Sequence, residues 1–250
     1  MRNLHIVTGD WHIPFHNKKL VNGMLELISD LGNKLDSFNI IGDFMDLNSL
    51  SFHDRGKIPI KGIDLGTEYK QGNKILDRLD SVIDSKTKKR YLWGNHESRA
   101  TRHLATADGA KLGIDLLSPT RQLSLLERGY EVKENWQEDH FRLGKHLELV
   151  HGQFTNIHVA KKHLDTYKTS IIMGHSHRVQ VFAEGGMIAY NIGHFADEST
   201  PAFNYATRAM KMLHLNGFAI VAIDKDGYFY TNLITAFNNK FYYNGKKYGG

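Results

Sequence analysis

The sequence predicts an α/β fold with two packed β-sheets. In the first half of the chain, short apolar segments alternate with amphipathic ones, a pattern typical of strands that alternate with helices. In the second half, apolar segments follow one another and are separated by hairpin turns, which is typical of consecutive strands. Because no linker-like stretch separates the halves, we expect one domain over residues 1–250.

The elements of the first half follow from its apolar spacing. A long stretch at residues 47–66 lacks periodicity, and we expect a loop that is either a lid or specificity element or simply a surface loop; it contains His53, Asp54 and Arg55. Ser118-Pro119 predicts a helix start that continues through Leu123 and Leu126. The other predicted elements are strand 4–7, helix 20–31 ended by Gly32, strand 38–41, helix 69–83 and strand 90–93.

The second half is richer in strands. Glu184-Gly185-Gly186 and Lys225-Asp226-Gly227 supply the turns of two hairpins. Lys246-Lys247 near the end of the chain predicts a solvated tail. The predicted elements are strand 147–150, helix 159–167, strand 170–173 and the strands 179–182, 187–191, 218–223 and 228–234.

Composition narrows the chemistry. The chain has no cysteine, which excludes disulfides, iron–sulfur clusters and thiolate zinc sites, so any metal must be held by nitrogen and oxygen ligands. A net charge of +5 favours an anionic partner such as a nucleotide or nucleic acid. The longest apolar run, residues 218–223, is far below the ~20 residues of a membrane span, and the N-terminal run is too short for a signal peptide. We therefore expect a cytoplasmic protein that has no membrane partner.

Residue types that bind metals follow five of the predicted strands. Each piece alone is more often an ordinary turn, a helix cap or a satisfied histidine. The carboxyl ends of strands, however, gather at one edge of a sheet, and glycine at each exit allows a sharp turn and room for a ligand. The five exits together therefore predict a site; they are Gly9-Asp10-Trp11-His12, Gly42-Asp43-Phe44-Met45-Asp46, Gly94-Asn95-His96-Glu97, His151-Gly152 and Gly174-His175-Ser176-His177.

This series resembles the motifs of the calcineurin-like metallophosphoesterases, and most closely those of compact phosphoesterases from phage and bacterial genomes. The resemblance extends from Gly9 to His177, about two-thirds of the chain. It implies a four-layer α-β-β-α sandwich of two mixed sheets, with two metal ions at one sheet edge. For a phage protein the compartment would be the host cytoplasm.

The resemblance also implies a ligand set. One ion would take Asp10, His12, Asp43 and His177, and the other would take Asp43 as a bridge together with Asn95, His151 and His175. Such a pair, about 3.5–4 Å apart, activates a bridging hydroxide for attack on phosphorus. Mixed nitrogen and oxygen donors suit Mn²⁺, iron or Zn²⁺, and we favour Mn²⁺.

Three further residues receive catalytic roles. The resemblance makes His96 a general acid or a donor to a phosphoryl oxygen, and Asp46 would accept from its other ring nitrogen. The alternative role for Asp46 is a cap at a helix start, which its spacing of three residues from Asp43 makes less favoured. Protein serine/threonine phosphatases of this superfamily carry arginine where this chain has Leu47, which counts against that class. Arg99 is our candidate for the missing charge, and Arg102 and Arg178 are further candidates. Each of the three could instead be a solvated surface residue, an alternative that is about even for Arg99 and favoured for Arg102.

The predicted function is hydrolysis of a phosphodiester in a nucleic acid or nucleotide, by a phosphodiesterase or nuclease. The alternative is a phosphomonoesterase that acts on a small molecule or a phosphoprotein. A non-catalytic metal-binding scaffold is less favoured, because all seven ligand positions and His96 carry competent side chains. The aromatic residues Trp11, Phe15 and Phe44 either stack on a base or pack beneath the site.

Overall fold

The computed structural model describes residues 3–52 and 62–250, so His53, Asp54 and Arg55 of the predicted loop lie outside the described residues. The helices are α1 Lys18–Leu31, α2 Leu65–Val82, α3 Arg99–Leu104, α4 Ala107–Leu112, α5 Ile114–Leu117, α6 Pro119–Gln122, α7 Val159–Tyr167 and α8 Arg208–Lys211. The strands are β1 Leu4–Thr8, β2 Leu35–Ile41, β3 Lys88–Leu92, β4 Tyr130–Lys133, β5 Phe141–Leu143, β6 Leu147–Leu149, β7 Ser170–Met173, β8 Val179–Glu184, β9 Met187–Ile192, β10 Gly217–Ile223, β11 Phe229–Thr235, β12 Lys240–Tyr243 and β13 Lys246–Gly249.

Two mixed sheets form the centre of the molecule. The first has the order β11-β10-β1-β2-β3-β4, in which β1 to β4 are parallel and β10 and β11 are antiparallel. The second has the order β5-β6-β7-β9-β8, with β6, β7 and β9 parallel. The hairpins at residues 184–186 and 225–227 are present as predicted, joining β8 to β9 and β10 to β11.

Alternating apolar residues explain how these sheets form four layers. In β1, Ile6 packs with α1 and α2 on the outer face, whereas Val7 packs between the two sheets. In β7, Ile172 lies between the sheets, and Ile171 packs on the opposite face with Leu164 of α7. The order of layers is therefore helix, sheet, sheet, helix, which confirms the predicted α-β-β-α sandwich.

Local signals explain the helix ends. Asn17 caps α1 by accepting a hydrogen bond from the N–H of Leu20, and Gly32 ends the helix with a φ of 47°. The helix expected after Ser118 is shorter than predicted: α6 has four residues, and Ser124 turns the chain at a φ of 48°, so Leu126 is exposed.

The prediction of a solvated tail at the C-terminal end is also wrong. Lys246 lies in the β12–β13 hairpin, which packs against α1, and it forms an ion pair with Asp30.

This topology brings the five strand exits to one place. Strands β1, β2 and β3 of the first sheet and β6 and β7 of the second are followed by the predicted motifs. Backbone hydrogen bonds join the exits, from Asp10 N–H to the Gly42 carbonyl at 3.0 Å and from Gly174 N–H to the His151 carbonyl at 2.9 Å. None of the helices in the described ranges has the length and apolar character to cross a membrane.

Candidate metal centre

The loops at these exits have an unusual backbone. Five of the seven predicted ligands adopt left-handed φ angles, which are uncommon for residues other than glycine. The residues are Asp10 (53°), His12 (52°), Asp43 (49°), His175 (70°) and His177 (59°). Strain of this kind persists where the surrounding structure requires it, and it concentrates at functional sites.

Glycine at three exits leaves room for the neighbouring side chains. A Cβ atom on Gly42 would overlap the ring of His151, and one on Gly94 would overlap the carboxylate of Asp43. A Cβ atom on Gly174 would overlap the carboxylate of Asp10. The glycines of the motifs therefore allow side chains from different strands to approach one another, in addition to the turn expected from the sequence.

The first donor group consists of Asp10, His12 and His177, all buried. The Nε2 atoms of the two histidines are 2.9 Å apart, and Asp10 Oδ1 lies 4.0 Å from His12 Nε2 and 3.7 Å from His177 Nε2. His12 Nδ1 is 3.0 Å from Asp46 Oδ2. Because an ionised carboxylate can only accept, this contact assigns the ring hydrogen to Nδ1 and leaves the Nε2 lone pair directed into the group.

The second donor group consists of Asp43, His151 and His175. His151 Nδ1 donates to the Ile41 carbonyl at 3.0 Å, so its Nε2 lone pair also points inward. That nitrogen lies 2.9 Å from Asn95 Oδ1 and 3.5 Å from Asp43 Oδ2. Asp43 Oδ2 is also 3.9 Å from His12 Nε2, so Asp43 lies between the two groups.

The donor atoms of these residues are arranged to bind cations and not to form hydrogen bonds with one another. A carboxylate faces Nδ1 of both His12 (Asp46, 3.0 Å) and His177 (Glu198, 3.5 Å), so the Nε2 atoms of these two rings are acceptors that lie 2.9 Å apart. In the second pair, His151 Nε2 and Asn95 Oδ1 are also two acceptors at 2.9 Å. Two lone pairs repel at that distance, whereas a cation bound by both atoms removes the repulsion. The donors are imidazole, carboxylate and amide groups, which bind Mn²⁺, iron and Zn²⁺. The histidine and aspartate groups could therefore bind metal.

Burial shifts the charge states of these groups. It lowers the pKa of His175 to about 3, with a further contribution from His151, so His175 is neutral near pH 7 and able to bind a cation. Burial raises the pKa of Asp10 to about 6. For Asp43 burial acts in the same direction, but His96 and His151 outweigh it and hold its pKa well below its usual range.

The three catalytic candidates lie together beside the donor groups. His96 Nδ1 is 2.9 Å from the Asp46 carbonyl, which can only accept, and His96 Nε2 is 3.8 Å from Asp43 Oδ2. Arg99 donates to the same Asp46 carbonyl at 2.9 Å and brings Nη2 to 3.2 Å from His96 Nε2. The Asp46 carboxylate is nearer to His12 Nδ1 (3.0 Å) than to His96 Nδ1 (3.4 Å). Asp46 therefore contacts both histidines. It is not a helix cap, because the N-cap position of the short helical turn Asn48–Leu50 is occupied by Leu47.

The contacts of the remaining candidate residues show which of them lie at the site. Arg102 Nη2 donates to the Asn95 carbonyl at 3.0 Å, so it lies beside the predicted ligands, whereas Arg178 donates to the carbonyl of Asn156. Trp11 is fully buried and stacks on Phe195 at a centroid distance of 4.9 Å. Phe15 and Phe44 are buried as well. These aromatic side chains pack beneath the site and have no exposed face for a base.

Two acidic residues at the site have no role in the sequence prediction. The buried carboxylate of Glu97 accepts hydrogen bonds from Tyr91 Oη (2.8 Å) and from the N–H groups of Asp43 (3.0 Å), Met45 (2.9 Å) and Gly94 (2.8 Å). It therefore ties the β2 exit to the β3 exit. The sequence feature that could have identified Glu97 is its place as the last residue of the Gly-Asn-His-Glu motif.

The second acidic residue is Glu198. Its Oε1 atom bonds to His214 Nδ1 at 2.5 Å and lies 3.5 Å from His177 Nδ1. A carboxylate on that side favours the hydrogen on Nδ1 of His177 and leaves Nε2 for the first donor group. Glu198 belongs to no motif, and no spacing in the sequence connects it with His177 or His214.

Comparisons with known proteins identify the fold. No family model matches the sequence, and the search of curated proteins found no significant match. Among solved structures, the chain is similar to Vacuolar Protein Sorting 29 from Cryptosporidium parvum, at 15% identity over 99% of this chain and 98% of that chain, with a TM-score of 0.51. Weaker similarities include a predicted phosphoesterase from Streptococcus pneumoniae TIGR4 (15% identity, 100% and 99% of the two chains, TM-score 0.41) and a hypothetical protein from Pyrococcus horikoshii OT3 (11%, 92% and 87%, 0.48).

Of these three structures, only the first has a TM-score above 0.5, and the comparison of folds rests on it. The similarity covers nearly the full length of both chains and agrees with the four layers described above. The chain therefore has the calcineurin-like metallophosphoesterase fold.

Proposed function

We propose that this chain is a metal-dependent phosphoesterase that hydrolyses a phosphodiester in a nucleotide or nucleic acid. The observation that carries the proposal is the approach of two pairs of acceptor atoms to 2.9 Å, His12 to His177 and His151 to Asn95, with Asp43 between them. Two cations, Mn²⁺ by preference and otherwise iron or Zn²⁺, would account for both pairs. The residues that would hold them are Asp10, His12, Asp43, Asn95, His151, His175 and His177.

When bound, two divalent ions would supply Lewis acidity to a phosphoryl oxygen and lower the pKa of a water molecule between them. Asp43 would be shared by both ions, since its Oδ2 atom lies 3.9 Å from His12 Nε2 and 3.5 Å from His151 Nε2. A shared carboxylate offsets the repulsion between two like charges at close range.

His96 is the candidate proton donor to the leaving oxygen. Its Nδ1 hydrogen is held by the Asp46 carbonyl, so the nitrogen that would face the substrate is Nε2, which lies 3.8 Å from Asp43 Oδ2 and 3.2 Å from Arg99 Nη2. Burial and the neighbouring charge of Arg99 would lower the pKa of His96, but Asp43 and Asp46 outweigh them and raise its pKa, which favours the protonated ring that a general acid requires. Arg99, 3.2 Å from this ring, would carry the positive charge that binds a phosphoryl oxygen.

A pair of chromogenic esters tests the reaction. We expect the protein loaded with Mn²⁺ to hydrolyse bis-p-nitrophenyl phosphate faster than p-nitrophenyl phosphate, because the proposed substrate, like the first of these two compounds, carries an ester group on both sides of the phosphorus atom. Faster turnover of the monoester would support the phosphomonoesterase instead. Asp43→Asn should lose both metal and activity, whereas Asp165→Asn on the exposed side of α7 should retain both. A loaded protein that hydrolyses neither ester would contradict the proposal.

A further inference from the structure

A cavity of about 600 Å³ opens beside the second donor group. It lies between α3 and residues 134–137, and Asn95 of the predicted ligand set forms part of its wall. This volume falls in the range of about 300–1,000 Å³ that is usual for pockets that bind small molecules. Its lining combines aromatic and cationic side chains, which include Phe52, Trp93, Trp136, Arg99 and Arg102.

Trp136 joins this cavity to the donor groups. Its ring meets the ring of His151 edge-on at a centroid distance of 5.8 Å, and it is tilted against His175 at 6.0 Å. Trp11 and Trp93 are buried, but Trp136 is partly exposed along the cavity. A partly exposed indole that contacts two predicted ligands offers a planar surface in the same cavity as Asn95.

The cavity also carries a net positive charge. Arg102 is anchored by its hydrogen bond to the Asn95 carbonyl, and Arg99 by its hydrogen bond to the Asp46 carbonyl. The acidic residue of the lining, Glu134, accepts a hydrogen bond from Thr120 Oγ1 at 2.6 Å. Two positioned guanidinium groups favour a ligand that is anionic, and guanidinium planes also stack on aromatic rings.

We propose that this cavity binds the nucleoside part of the substrate, with the base stacked on Trp136 and the phosphate directed towards Asn95 by Arg99 and Arg102. The inference rests on the proposed function, because it names the substrate class of the same centre. Either a free nucleotide or a nucleotide unit of a single strand supplies this chemistry. Stacking of a base on an aromatic side chain is tolerant of base identity, so the cavity selects a nucleotide and not a particular base.

Binding to protein freed of metal with EDTA tests the cavity apart from catalysis. By isothermal titration calorimetry we expect AMP to bind about tenfold more tightly than ribose 5-phosphate, because the two differ only by the base. Trp136→Leu should abolish this difference, and Trp136→Phe should keep most of it. Equal affinities for AMP and ribose 5-phosphate, a preference that persists in Trp136→Leu, or no detectable binding of AMP would each overturn the inference.

Two further variants separate stacking from charge. Tyr242→Leu removes an exposed aromatic ring on the β12–β13 hairpin and should leave the preference for AMP unchanged. Arg102→Gln should weaken AMP and ribose 5-phosphate by a similar factor, about tenfold, and preserve their ratio. If Arg102→Gln weakened the binding of AMP but not that of ribose 5-phosphate, Arg102 would not bind the phosphate group as proposed.

The source of the nucleotide is distinguished by a single-stranded deoxyoligonucleotide of ten residues. Tighter binding of the strand than of AMP, with the same dependence on Trp136, identifies a nucleic acid, and tighter binding of AMP identifies a free nucleotide. Hydrolysis of bis-p-nitrophenyl phosphate is measured separately, on the same protein and variants after they are reloaded with Mn²⁺. Intact hydrolysis without a preference for AMP contradicts this inference alone, whereas a preference for AMP without hydrolysis contradicts the proposed function alone.

Discussion

The Nε2 atoms of His12 and His177 lie 2.9 Å apart, although the two residues are separated by 165 positions in the sequence. A carboxylate faces the Nδ1 atom of each ring: Asp46 faces His12, and Glu198 faces His177. Both rings therefore direct a lone pair towards the same space. This relationship leads to a prediction about metal and stability.

We expect Mn²⁺ to stabilise the protein against unfolding. An ion that binds the folded chain at a concentration 100 times its Kd raises the free energy of unfolding by about 2.7 kcal/mol. Thermal unfolding of the protein treated with EDTA, with and without added Mn²⁺, measures the effect. Asp43→Asn should abolish the stabilisation and Asp165→Asn should retain it. An identical melting temperature with and without Mn²⁺, iron and Zn²⁺ would contradict the metal centre.

Replacement of Glu198 should weaken metal binding without unfolding the protein. Glu198→Ala removes the carboxylate that faces His177 Nδ1, and loss of such a partner typically lowers metal affinity about 10–100-fold. Calorimetric titration with Mn²⁺ checks this, and Glu198→Gln should recover part of the affinity because it keeps an acceptor oxygen. Glu184→Ala, at an exposed position in β8, is the matched control. An unchanged affinity in Glu198→Ala would mean that Glu198 does not orient His177.

Replacement of His96 should separate chemistry from metal binding. His96→Asn is expected to lower turnover of bis-p-nitrophenyl phosphate by about 10²–10⁴-fold, the usual contribution of a positioned proton donor. The affinity for Mn²⁺ should stay within a few-fold, since His96 is not among the proposed ligands. His146→Asn, at an exposed position, should change neither quantity. Full turnover in His96→Asn would rule out the proton-donor role.

Replacement of Glu97 should destabilise the fold. Glu97→Gln places an amide N–H₂ group among three backbone N–H donors, so at least one buried donor loses its acceptor. A loss of this kind costs about 1–3 kcal/mol. Chemical denaturation measures it, with Glu131→Gln on the exposed side of β4 as a control that should not change stability. An unchanged denaturation midpoint would show that the carboxylate is not needed to join the two exits.

A buried histidine away from the centre should make stability depend on pH. Burial lowers the pKa of His5 to about 4, against an opposing effect of Asp36. As the pH falls below 6.5, the unfolded chain therefore takes up a proton that the folded chain does not, and stability is lost between pH 6.5 and about 4. A shift of this size corresponds to about 3 kcal/mol.

Chemical denaturation at pH 7 and pH 4 checks this dependence. The loss between the two values should be smaller in His5→Gln than in the unchanged protein, because glutamine does not titrate. His146→Gln, at an exposed site, should not alter the loss. Equal losses in the His5→Gln variant and the unchanged protein would contradict the shifted pKa.

Much of the architecture could be predicted because it depends on local pattern. Helix 159–167 was predicted with the bounds of α7, since its apolar residues and its flanking strands mark both ends. The strand exits could be identified because each combines a glycine with ligand types immediately after an apolar run. The spatial order of the layers follows from alternation along strands such as β1, where Ile6 and Val7 face opposite sides.

The remainder depends on contacts between distant residues. Glu198 follows a segment that is joined to the first motif by the hydrogen bond from Phe195 N–H to the Asp10 carbonyl, and no spacing in the sequence expresses its contact with His177. The β12–β13 hairpin packs against α1, and this contact between distant residues is not visible in the local sequence around its lysines. Trp136 lies in a segment without periodicity, and only its contacts with His151 and His175 place it at the cavity.

Each donor group draws side chains from both sheets. Asp10 and His12 follow β1 of the first sheet and His177 follows β7 of the second, while Asp43 and His151 divide in the same way between β2 and β6. A cation in either position would act as a non-covalent cross-link between the two halves of the sandwich, in a chain that has no cysteine to form a covalent one. The geometry of the centre therefore depends on how the two sheets pack, and neither half of the polypeptide carries a complete set of the predicted ligands by itself.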